Sequence, residues 1–211
     1  MARSDIIDIA GLKDRLAGTA LPADPTDVVM PAGSELWPAT MREQLAASLK
    51  PAGVLVPLME KPSGDLNVLL TQRSAELKLH AGQISFPGGR MEGHDPDIAA
   101  TALRETHEEV GIAREHVSVI GYLDPMPTVT GYAVTATIGV VRSGTTVEVD
   151  HNEVEYAFEV PLSFLVEPGN AQLVERELYG RSLRMVEYHY DGQRIWGATA
   201  MLIQQFVKII I

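Results

Sequence analysis

Short apolar runs in the middle of the chain alternate with turn-forming residues, a pattern typical of β-structure. Residues 54–59 and 66–71 are apolar runs separated by a Pro-Ser-Gly-Asp turn within residues 61–65, which predicts a β-hairpin. Residues 117–123 and 133–141 carry the same kind of apolar run. The central part of the chain is therefore predicted to supply the core strands.

The C-terminal part continues the mixture of strands and helices. An extended segment begins at residues 157–160, and residues 184–190 and 194–196 flank Asp191-Gly192, a dipeptide that favours a type I′ hairpin turn. Residues 198–210 are predicted to form a closing helix. Hairpins with helices inserted between them predict an α/β layered sandwich with a mixed β-sheet, in place of a parallel sheet built from repeated βαβ units.

The first fifty residues have a different pattern and are predicted to be an appendage to this core. Residues 6–16 suggest a short amphipathic helix, residues 21–33 contain three prolines, and residues 35–49 suggest a second helix. We therefore predict an N-terminal helical, Pro-rich arm over residues 1–50 and a domain over residues 51–211. The Leu- and Ile-rich part of the arm is a candidate contact with a second subunit, so a homodimer is one expected assembly.

An acidic face is predicted on the helix over residues 97–110. Asp95 is the predicted N-cap residue, because an Asp-Pro pair suits the start of a helix. With about 100° between successive residues, Glu109 lies about 40° from Glu105, and Glu108 about 60° to the other side. Three carboxylates therefore share one side of the helix, beside an apolar stripe that faces the core.

Two explanations fit this acidic face. Like charges one turn apart cost roughly 0.2–0.5 kcal/mol per pair, and a solvated surface is the commoner setting for such a Glu-rich helix. The alternative is a site for a hard cation such as Mg²⁺ or Mn²⁺, which binds oxygen ligands together with substrate phosphates. Upstream, residues 86–89 read Phe-Pro-Gly-Gly, a loop whose backbone can approach a ligand closely.

Composition and charge exclude several classes of protein. The 211 residues include 28 Asp and Glu against 17 Lys and Arg, a net charge of -11, which argues against binding to nucleic acid. There is no cysteine, so disulfides and thiolate chemistry are excluded. No apolar stretch approaches the roughly 20 residues of a membrane span, and residues 1–20 contain three aspartates where a signal peptide needs an apolar run. We expect a cytoplasmic protein.

Residues 89–112 resemble the Nudix box of the Nudix hydrolases, Gx5Ex7REUxEExGU, in which U is a bulky apolar residue. The residues that match the second half in register are Arg104, Glu105, Glu108, Glu109, Gly111 and Ile112. The first half departs from the pattern. Asp95 replaces its glutamate, the gap to Arg104 is one residue longer, and Thr106 takes the first U position.

A second resemblance lies just before the box. Residues 69–74, Gly82 and residues 86–89 are similar to the signature LLTxR(S/A)x3Rx3Gx3FPGG of the coenzyme A pyrophosphatases within this superfamily. Lys78 stands at a position where the signature has arginine. It keeps the positive charge but lacks the planar fork of a guanidinium.

These resemblances imply a Nudix-type α/β/α sandwich and a metal-dependent pyrophosphohydrolase. The implied reaction splits the diphosphate of coenzyme A or acyl-CoA into 3′,5′-ADP and 4′-phosphopantetheine or its acyl form. Other Nudix substrates stay open, namely ADP-ribose, a dinucleoside polyphosphate or a nucleoside triphosphate. A module that senses a nucleotide without cleaving it is the alternative from another class.

The resemblance also implies a role for individual residues. Mg²⁺ or Mn²⁺ would be held by Glu105, Glu108, Glu109 and the carbonyl of Gly89. Substrate phosphates would be bound by Arg73, Lys78, Gly88 and Gly89. Glu105 is a candidate general base, Arg104 is expected to orient a glutamate, and Glu153 or Glu155 in a later loop is the alternative base.

Overall fold

A mixed eight-stranded sheet forms the centre of the protein. The structure is a computed structural model that describes residues 7–31, 34, 37–76, 82–178 and 181–211. The strands of the central sheet are β1 (Lys50–Glu60), β2 (Leu66–Arg73), β3 (Ile84–Ser85), β4 (Gly88–Arg90), β5 (Val117–Tyr122), β6 (Met126–Pro127), β7 (Tyr132–Val141) and β8 (Val154–Pro161). The predicted hairpin is formed by β1 and β2, which pair antiparallel with Leu58 opposite Val68.

Strand β1 is the axis of this sheet. It runs parallel to β7 from Lys50 to Met59, whereas the other pairings of the sheet in the described residues are antiparallel. The prediction of a mixed sheet is therefore confirmed. On its other edge β1 changes partner, because residues 52–54 pair with β4 and residues 58–60 pair with β2. The glycine loop enters the sheet where these two partners diverge.

Helices cover both faces of the sheet. The helices of the described residues are α1 (Ile9–Leu16), α2 (Ala39–Leu45), α3 (Ile98–Val110), α4 (Leu162–Val166) and α5 (Gly197–Ile210). Successive side chains of β1 point to opposite faces. Leu55 packs with Ala102 and Leu103 of α3, whereas Val56 and Leu58 join a larger cluster that includes buried residues of α1, α4 and α5. The result is the predicted α/β/α sandwich.

A smaller antiparallel sheet adds to the layer that contains α5. Its strands are β9 (Gln172–Leu178), β10 (Arg181–Tyr190) and β11 (Gln193–Ile195). The turn between β10 and β11 has φ of 48° at Asp191 and 76° at Gly192, as a type I′ turn requires. The predicted C-terminal hairpin is therefore confirmed. Val186, Tyr188 and Ile195 on one face of this sheet are buried in the same cluster as α5.

The N-terminal segment is part of the main core, which corrects its interpretation as an appendage. Leu12 and Leu16 of α1 are 0% and 1% exposed and pack in the large cluster. Just after the helix, the Thr19 hydroxyl accepts a hydrogen bond of 3.0 Å from the backbone N–H of Tyr122 in β5. A helix of about two turns is unstable alone, so its apolar side must pack against other residues. Here the core of the same chain buries Leu12 and Leu16.

The second N-terminal helix is shorter than predicted. It spans Ala39–Leu45 instead of residues 35–49, of which residues 35 and 36 lie outside the described residues. Pro38 is its N-cap residue, and Ser48 has φ of 56°, a left-handed conformation that cannot continue an α-helix. The amphipathic pattern alone did not indicate either boundary.

The C-terminal helix α5 agrees with its predicted range. Leu202, Ile203 and Phe206 are buried in the main cluster. With 14 residues, α5 is shorter than the roughly 20 that a bilayer span needs. In the ranges that the structure describes, no helix combines the length and the apolar character required to cross a membrane.

Candidate active site

Helix α3 begins after Asp97, so the prediction of Asp95 as the N-cap is wrong. Asp97 Oδ1 accepts a hydrogen bond of 2.7 Å from the backbone N–H of Ala100, in the usual capping geometry. The side chain of Asp95 is largely buried and instead accepts hydrogen bonds from the Glu92 N–H and the Thr101 hydroxyl. Because the Asp95 carboxylate is bound to these partners, Asp97 caps the helix.

Asp95 and Arg104 form a bidentate ion pair across the start of α3. Arg104 Nε lies 3.0 Å from Asp95 Oδ1, and Arg104 Nη2 lies 3.0 Å from Asp95 Oδ2. Nη2 also donates to the Arg90 carbonyl at 3.3 Å. The hydrogen bonds from Arg104 hold the pKa of Asp95 well below its usual range, and Asp95 raises the pKa of Arg104 in turn. The guanidinium is therefore fixed, with its Nη1 directed to other partners.

Those partners are two glutamates of the acidic face. Arg104 Nη1 lies 2.9 Å from Glu105 Oε1 and donates to Glu108 Oε2 at 2.9 Å. The Glu105 side chain is 15% exposed and that of Glu108 is 54% exposed. One arginine thus orders two carboxylates with different access to solvent.

Glu109 is the buried member of the acidic face, with 2% of its surface exposed. Its Oε1 lies 3.3 Å from Arg73 Nη1, and its Oε2 accepts a hydrogen bond of 3.2 Å from the Gly88 N–H. Burial raises the pKa of Glu109 to about 7, although the Arg73 charge and the Gly88 N–H oppose this shift. Sequence reasoning did not predict the contact between Arg73 and Glu109, because no local signal joins residues in different elements.

The glycine loop contacts the same acids through its backbone. A Cβ on Gly89 would lie 2.5 Å from Glu105 Cδ, closer than real Cβ atoms approach. Gly88 has φ of 151°, and a Cβ there would lie 2.4 Å from the Gly53 carbonyl oxygen. Glycine is therefore required at position 88, whereas a side chain at position 89 would displace the flexible end of Glu105.

The loop before β8 brings one further acid to this site. It is tied to the end of α3, because the Asp150 N–H donates to the Glu109 carbonyl and the Glu148 N–H to the Val110 carbonyl, each at 3.0 Å. The charge of Glu153 contributes to the raised pKa of both Glu105 and Glu109. Glu153 therefore lies within electrostatic range of the acids of α3.

Glu155 has a different environment. The register between β2 and β8 shifts here, since Gln72 pairs with Tyr156 and Arg73 pairs with Val154. Glu155 is the extra residue of this irregularity, and its side chain is exposed. Among the described residues, it forms no hydrogen bond or ion pair with the glutamates of α3.

The structure therefore brings together most of the residues singled out from the sequence. Those that meet at the C-terminal half of α3 are Arg73, Gly88, Gly89, Arg104, Glu105, Glu108, Glu109 and Glu153. Lys78, which was predicted to bind substrate, lies outside the described residues. Two contributions were missed: the anchoring of Arg104 by Asp95 and the pairing of Arg73 with Glu109.

The carboxylate oxygens of this site are suitable ligands for a hard cation, although the side chains are not arranged around one. Within residues 7–31, 34, 37–76, 82–178 and 181–211, no three His, Asp or Glu side chains form a ready cation site. Glu105 and Glu108 are turned to Arg104, and Glu109 faces Arg73. Burial raises the pKa of Glu105, and the charges of Glu108 and Glu153 add to this shift. A divalent cation with oxygen ligands would relieve that repulsion.

A separate cavity of about 800 Å³ lies elsewhere in the molecule. It is mainly apolar and is lined by residues of α4 and α5 together with the N-terminal segment, among them Met30, Leu165 and Met201. None of the residues that line it belongs to α3 or to the glycine loop. This cavity is therefore distinct from the cluster of acids at α3, although it is large.

Comparison with known proteins shows which family the sheet and the acidic helix α3 resemble. The family profile described as NUDIX domain matches residues 49–179, which run from the start of β1 through β9. The uncharacterized Nudix hydrolase NudL of Photorhabdus laumondii is 39% identical over 166 residues, 79% of this chain and 88% of that protein. NudL of Escherichia fergusonii is 38% identical over 170 residues, 81% of this chain and 86% of that protein.

Solved structures show a more distant similarity. A MutT/nudix family protein from Enterococcus faecalis is 14% identical to this chain, with a TM-score of 0.49, over 77% of this chain and 62% of that protein. A Nudix hydrolase from M. Smegmatis, RenU, is 21% identical with a TM-score of 0.46, over 54% of this chain and 71% of that protein.

Proposed function

Since this chain belongs to the Nudix hydrolases, pyrophosphohydrolases that act on phosphoric anhydrides, we propose that it hydrolyses the diphosphate bond of coenzyme A or an acyl-CoA. The products would be 3′,5′-ADP and 4′-phosphopantetheine or its acyl form. Hydrolysis of a phosphoric anhydride is the activity of the family, and the choice of coenzyme A as substrate is the part that is proposed.

The contact between Arg73 and Glu109 is the observation that carries this proposal. Arg73 belongs to the segment that resembles the coenzyme A pyrophosphatase signature, and Glu109 belongs to the Nudix box. Their side chains lie 3.3 Å apart, and the Gly88 N–H of the same signature also bonds to Glu109. The two motifs therefore form one site, as a substrate signature next to a hydrolytic box requires.

We further propose that Mg²⁺ or Mn²⁺ is held by Glu105, Glu108 and Glu109, with the Gly89 carbonyl as an additional ligand. Nudix enzymes generally use such divalent metals. When bound, the cation polarises phosphoryl oxygens and lowers the pKa of a coordinated water. In this proposal the carboxylates exchange part of their contact with Arg104 and Arg73 for the cation.

The remaining residues position the reacting groups. Arg104, held by Asp95, keeps Glu105 and Glu108 in place. Arg73 and Lys78, with the backbone of Gly88 and Gly89, are proposed to bind substrate phosphates, since guanidinium and ammonium groups are natural partners of phosphate oxygens.

Two acids are proposed as alternative general bases. Burial raises the pKa of Glu105, and a more basic carboxylate is a better proton acceptor. Glu153 lies on a loop tied to α3 and is the second candidate. Glu155 is the weaker loop candidate, because its exposed side chain has no contact with the acids of α3 among the described residues.

A substrate panel tests the proposed function. Purified protein with Mg²⁺ or Mn²⁺ is incubated with coenzyme A, acetyl-CoA, ADP-ribose, a dinucleoside polyphosphate and a nucleoside triphosphate, and products are separated by chromatography. We expect 3′,5′-ADP to form from coenzyme A. Glu109→Gln should abolish turnover, whereas Glu115→Gln, an exposed acid just after α3, should not.

Other outcomes of this panel select the alternatives. Efficient hydrolysis of ADP-ribose or another nucleotide, with coenzyme A untouched, would replace the substrate; Lys78 in place of the signature arginine is the feature that favours this second candidate. Tight binding of a nucleotide without hydrolysis of any compound would instead indicate a sensor.

A further inference from the structure

The outer face of the small sheet carries a buried carboxylate enclosed by two guanidinium groups. Glu187 of β10 is 1% exposed, although it points away from the core, since its neighbours Val186 and Tyr188 face the main cluster. Arg176 of β9 and Arg194 of β11 cover it. Among the described residues, no hydrogen bond or ion pair joins this carboxylate to the acids at the C-terminal half of α3.

Both arginines bind Glu187 through two hydrogen bonds. Arg176 donates through Nε at 2.9 Å and through Nη2 at 3.0 Å, and Arg194 donates through Nε at 3.0 Å and also through Nη2. These bonds lower the pKa of Glu187 to about 2, so the carboxylate stays charged. Each guanidinium is therefore held in a fixed orientation before any ligand arrives.

The arginines keep donors for another partner. The bonds to Glu187 use Nε and Nη2, and within the described residues neither Nη1 has a hydrogen bond. The side chains of Arg176 and Arg194 are 44% and 41% exposed. Two oriented, accessible Nη1 groups suit an oxyanion such as phosphate, which accepts charge-assisted hydrogen bonds.

The surrounding charges favour an anion. Alternation along β9 places Glu175 and Glu177 on the opposite face from Arg176. His189 lies on the same face as Glu187, with Nε2 3.5 Å from the Glu187 carboxylate. Two guanidiniums thus meet one carboxylate, which leaves a local excess of positive charge in a protein whose net charge is -11.

An aromatic ring lies beside the arginines. The guanidinium carbon of Arg194 is 4.9 Å from the centre of the Trp196 ring, a cation–π contact that further restrains Arg194. Trp196 is partly exposed. A phosphate next to an accessible indole is a combination that suits a nucleotide, whose base can stack on the ring.

The cluster is connected to the candidate active site through neighbouring strands. Strand β11 lies against β3, and the Thr199 hydroxyl, at the start of α5, donates to the Ile84 carbonyl of β3 at 2.9 Å. Strand β3 leads within three residues to Gly88, whose N–H contacts Glu109. The small sheet that carries the arginines is therefore joined to β3, the strand that precedes the glycine loop.

We propose that Arg176 and Arg194, oriented by Glu187, form a subsite for a phosphate monoester of the nucleotide substrate, separate from the diphosphate that is cleaved. The inference rests on the proposed function, because the 3′-phosphate of coenzyme A is such a group. A clamp that only joins β9, β10 and β11 is the competing explanation, and it predicts no effect on substrate choice.

Coenzyme A and dephospho-coenzyme A, which differ only in the 3′-phosphate, provide the kinetic test. We expect wild type to have a kcat/KM about 10- to 100-fold higher for coenzyme A. Arg176→Gln and Arg194→Gln should each bring this ratio close to one. Arg184→Gln is the matched control, since Arg184 is an exposed arginine on the other face of the same sheet, paired with Glu175. It should keep the wild-type ratio.

The second measurement does not depend on catalysis. Calorimetry compares the binding of adenosine 3′,5′-bisphosphate and adenosine 5′-monophosphate to wild type and to Arg176→Lys, which keeps the charge if Arg176→Gln does not fold. Tighter binding of the bisphosphate by wild type, reduced in Arg176→Lys, supports the subsite.

Two failures can be told apart. If neither coenzyme is hydrolysed, the proposed function fails, and calorimetry alone decides the subsite. If wild type hydrolyses both coenzymes equally well and binds the two adenosine nucleotides equally, the subsite is overturned while the proposed reaction stands.

Discussion

Gly89 and the carboxylate of Glu105 are in direct contact. A Cβ on Gly89 would lie 2.5 Å from Glu105 Cδ and 2.5 Å from Oε2. The backbone of the glycine loop therefore occupies the space beside a carboxylate that is already partly desolvated. A side chain at this position would force the carboxylate of Glu105 to move.

Gly89→Ala should remove activity without unfolding the protein. The added methyl group would displace the flexible end of Glu105, and misplacement of a reacting group by about 1 Å can cost about 100-fold in rate. Gly93→Ala is the control, because no atom lies within 4 Å of a Cβ at that position. Turnover and circular dichroism are measured for both. Equal activity of the two variants would contradict the placement of Glu105 in the site.

Glu109 should make the metal-free protein less stable as the pH rises. Its pKa is raised from 4.5 to about 7 in the folded state. A raised carboxyl pKa contributes stability that is fully present below pH 4.5 and is lost as the pH rises through 7. We expect Glu109→Gln to gain stability relative to wild type across this window, by at most about 3 kcal/mol. Urea unfolding with a chelator present measures the difference, which would be constant with pH if the assignment were wrong.

Metal affinity should depend on pH in the opposite sense. Ligand carboxylates must be deprotonated, so a bound cation displaces the proton that Glu109 holds below pH 7. Mn²⁺ should bind about tenfold more weakly for each pH unit below this value. Calorimetry at pH 6 and pH 8, in buffers of different ionisation enthalpy, measures the affinity and the protons released. If Mn²⁺ bound at pH 6 without releasing a proton, Glu109 would be excluded as a ligand.

Asp95 and Asp97 should differ sharply in their tolerance of substitution. Asp95→Asn removes the charge from a largely buried bidentate pair with Arg104 and should cost about 2–3 kcal/mol. Asp97→Asn keeps a good capping side chain and should change stability by less than about 0.5 kcal/mol. Because the pKa of Asp95 is lowered, its contribution is present above pH 3.8 and is lost as the pH falls below that value. Denaturant unfolding at pH 7 and pH 3 tests both statements.

The N-terminal helix should contribute to stability through Leu16. This side chain is 1% exposed, so Leu16→Ala should lower the free energy of unfolding by about 2–4 kcal/mol. Leu173→Ala, at a position that is 71% exposed, should have little effect. An equal and small effect of the two substitutions would show that α1 does not dock on the core in solution.

Some features of the site follow from local sequence alone. The spacing of Glu105, Glu108 and Glu109 places them on one side of any α-helix, and the Asp191-Gly192 pair favours one type of turn wherever it occurs. The Phe-Pro-Gly-Gly loop likewise indicated a close backbone approach. Each of these predictions depends on interactions within a few residues, which explains why the pattern was sufficient.

Other features could not be read from the chain. The three glutamates differ in exposure and in their partners, since Glu109 is buried and meets Arg73 and the Gly88 N–H, whereas Arg104 holds the other two. Asp95 looked like a cap because capping is its commonest local role, yet its partner lies nine residues further along the chain. The burial of α1 depends on β5 and α5, which no N-terminal pattern identifies.

The sequence by itself determined the acidic helix, the glycine loop, the mixed α/β architecture and the family resemblance, since periodicity and motif spacing act over short separations. Tertiary structure alone decided which acid is buried, which arginine meets it, and that Glu187 gathers two guanidiniums on an outer sheet face. Burial and ion pairing depend on which elements pack together. Those contacts join residues far apart in the chain, where local pattern carries no information.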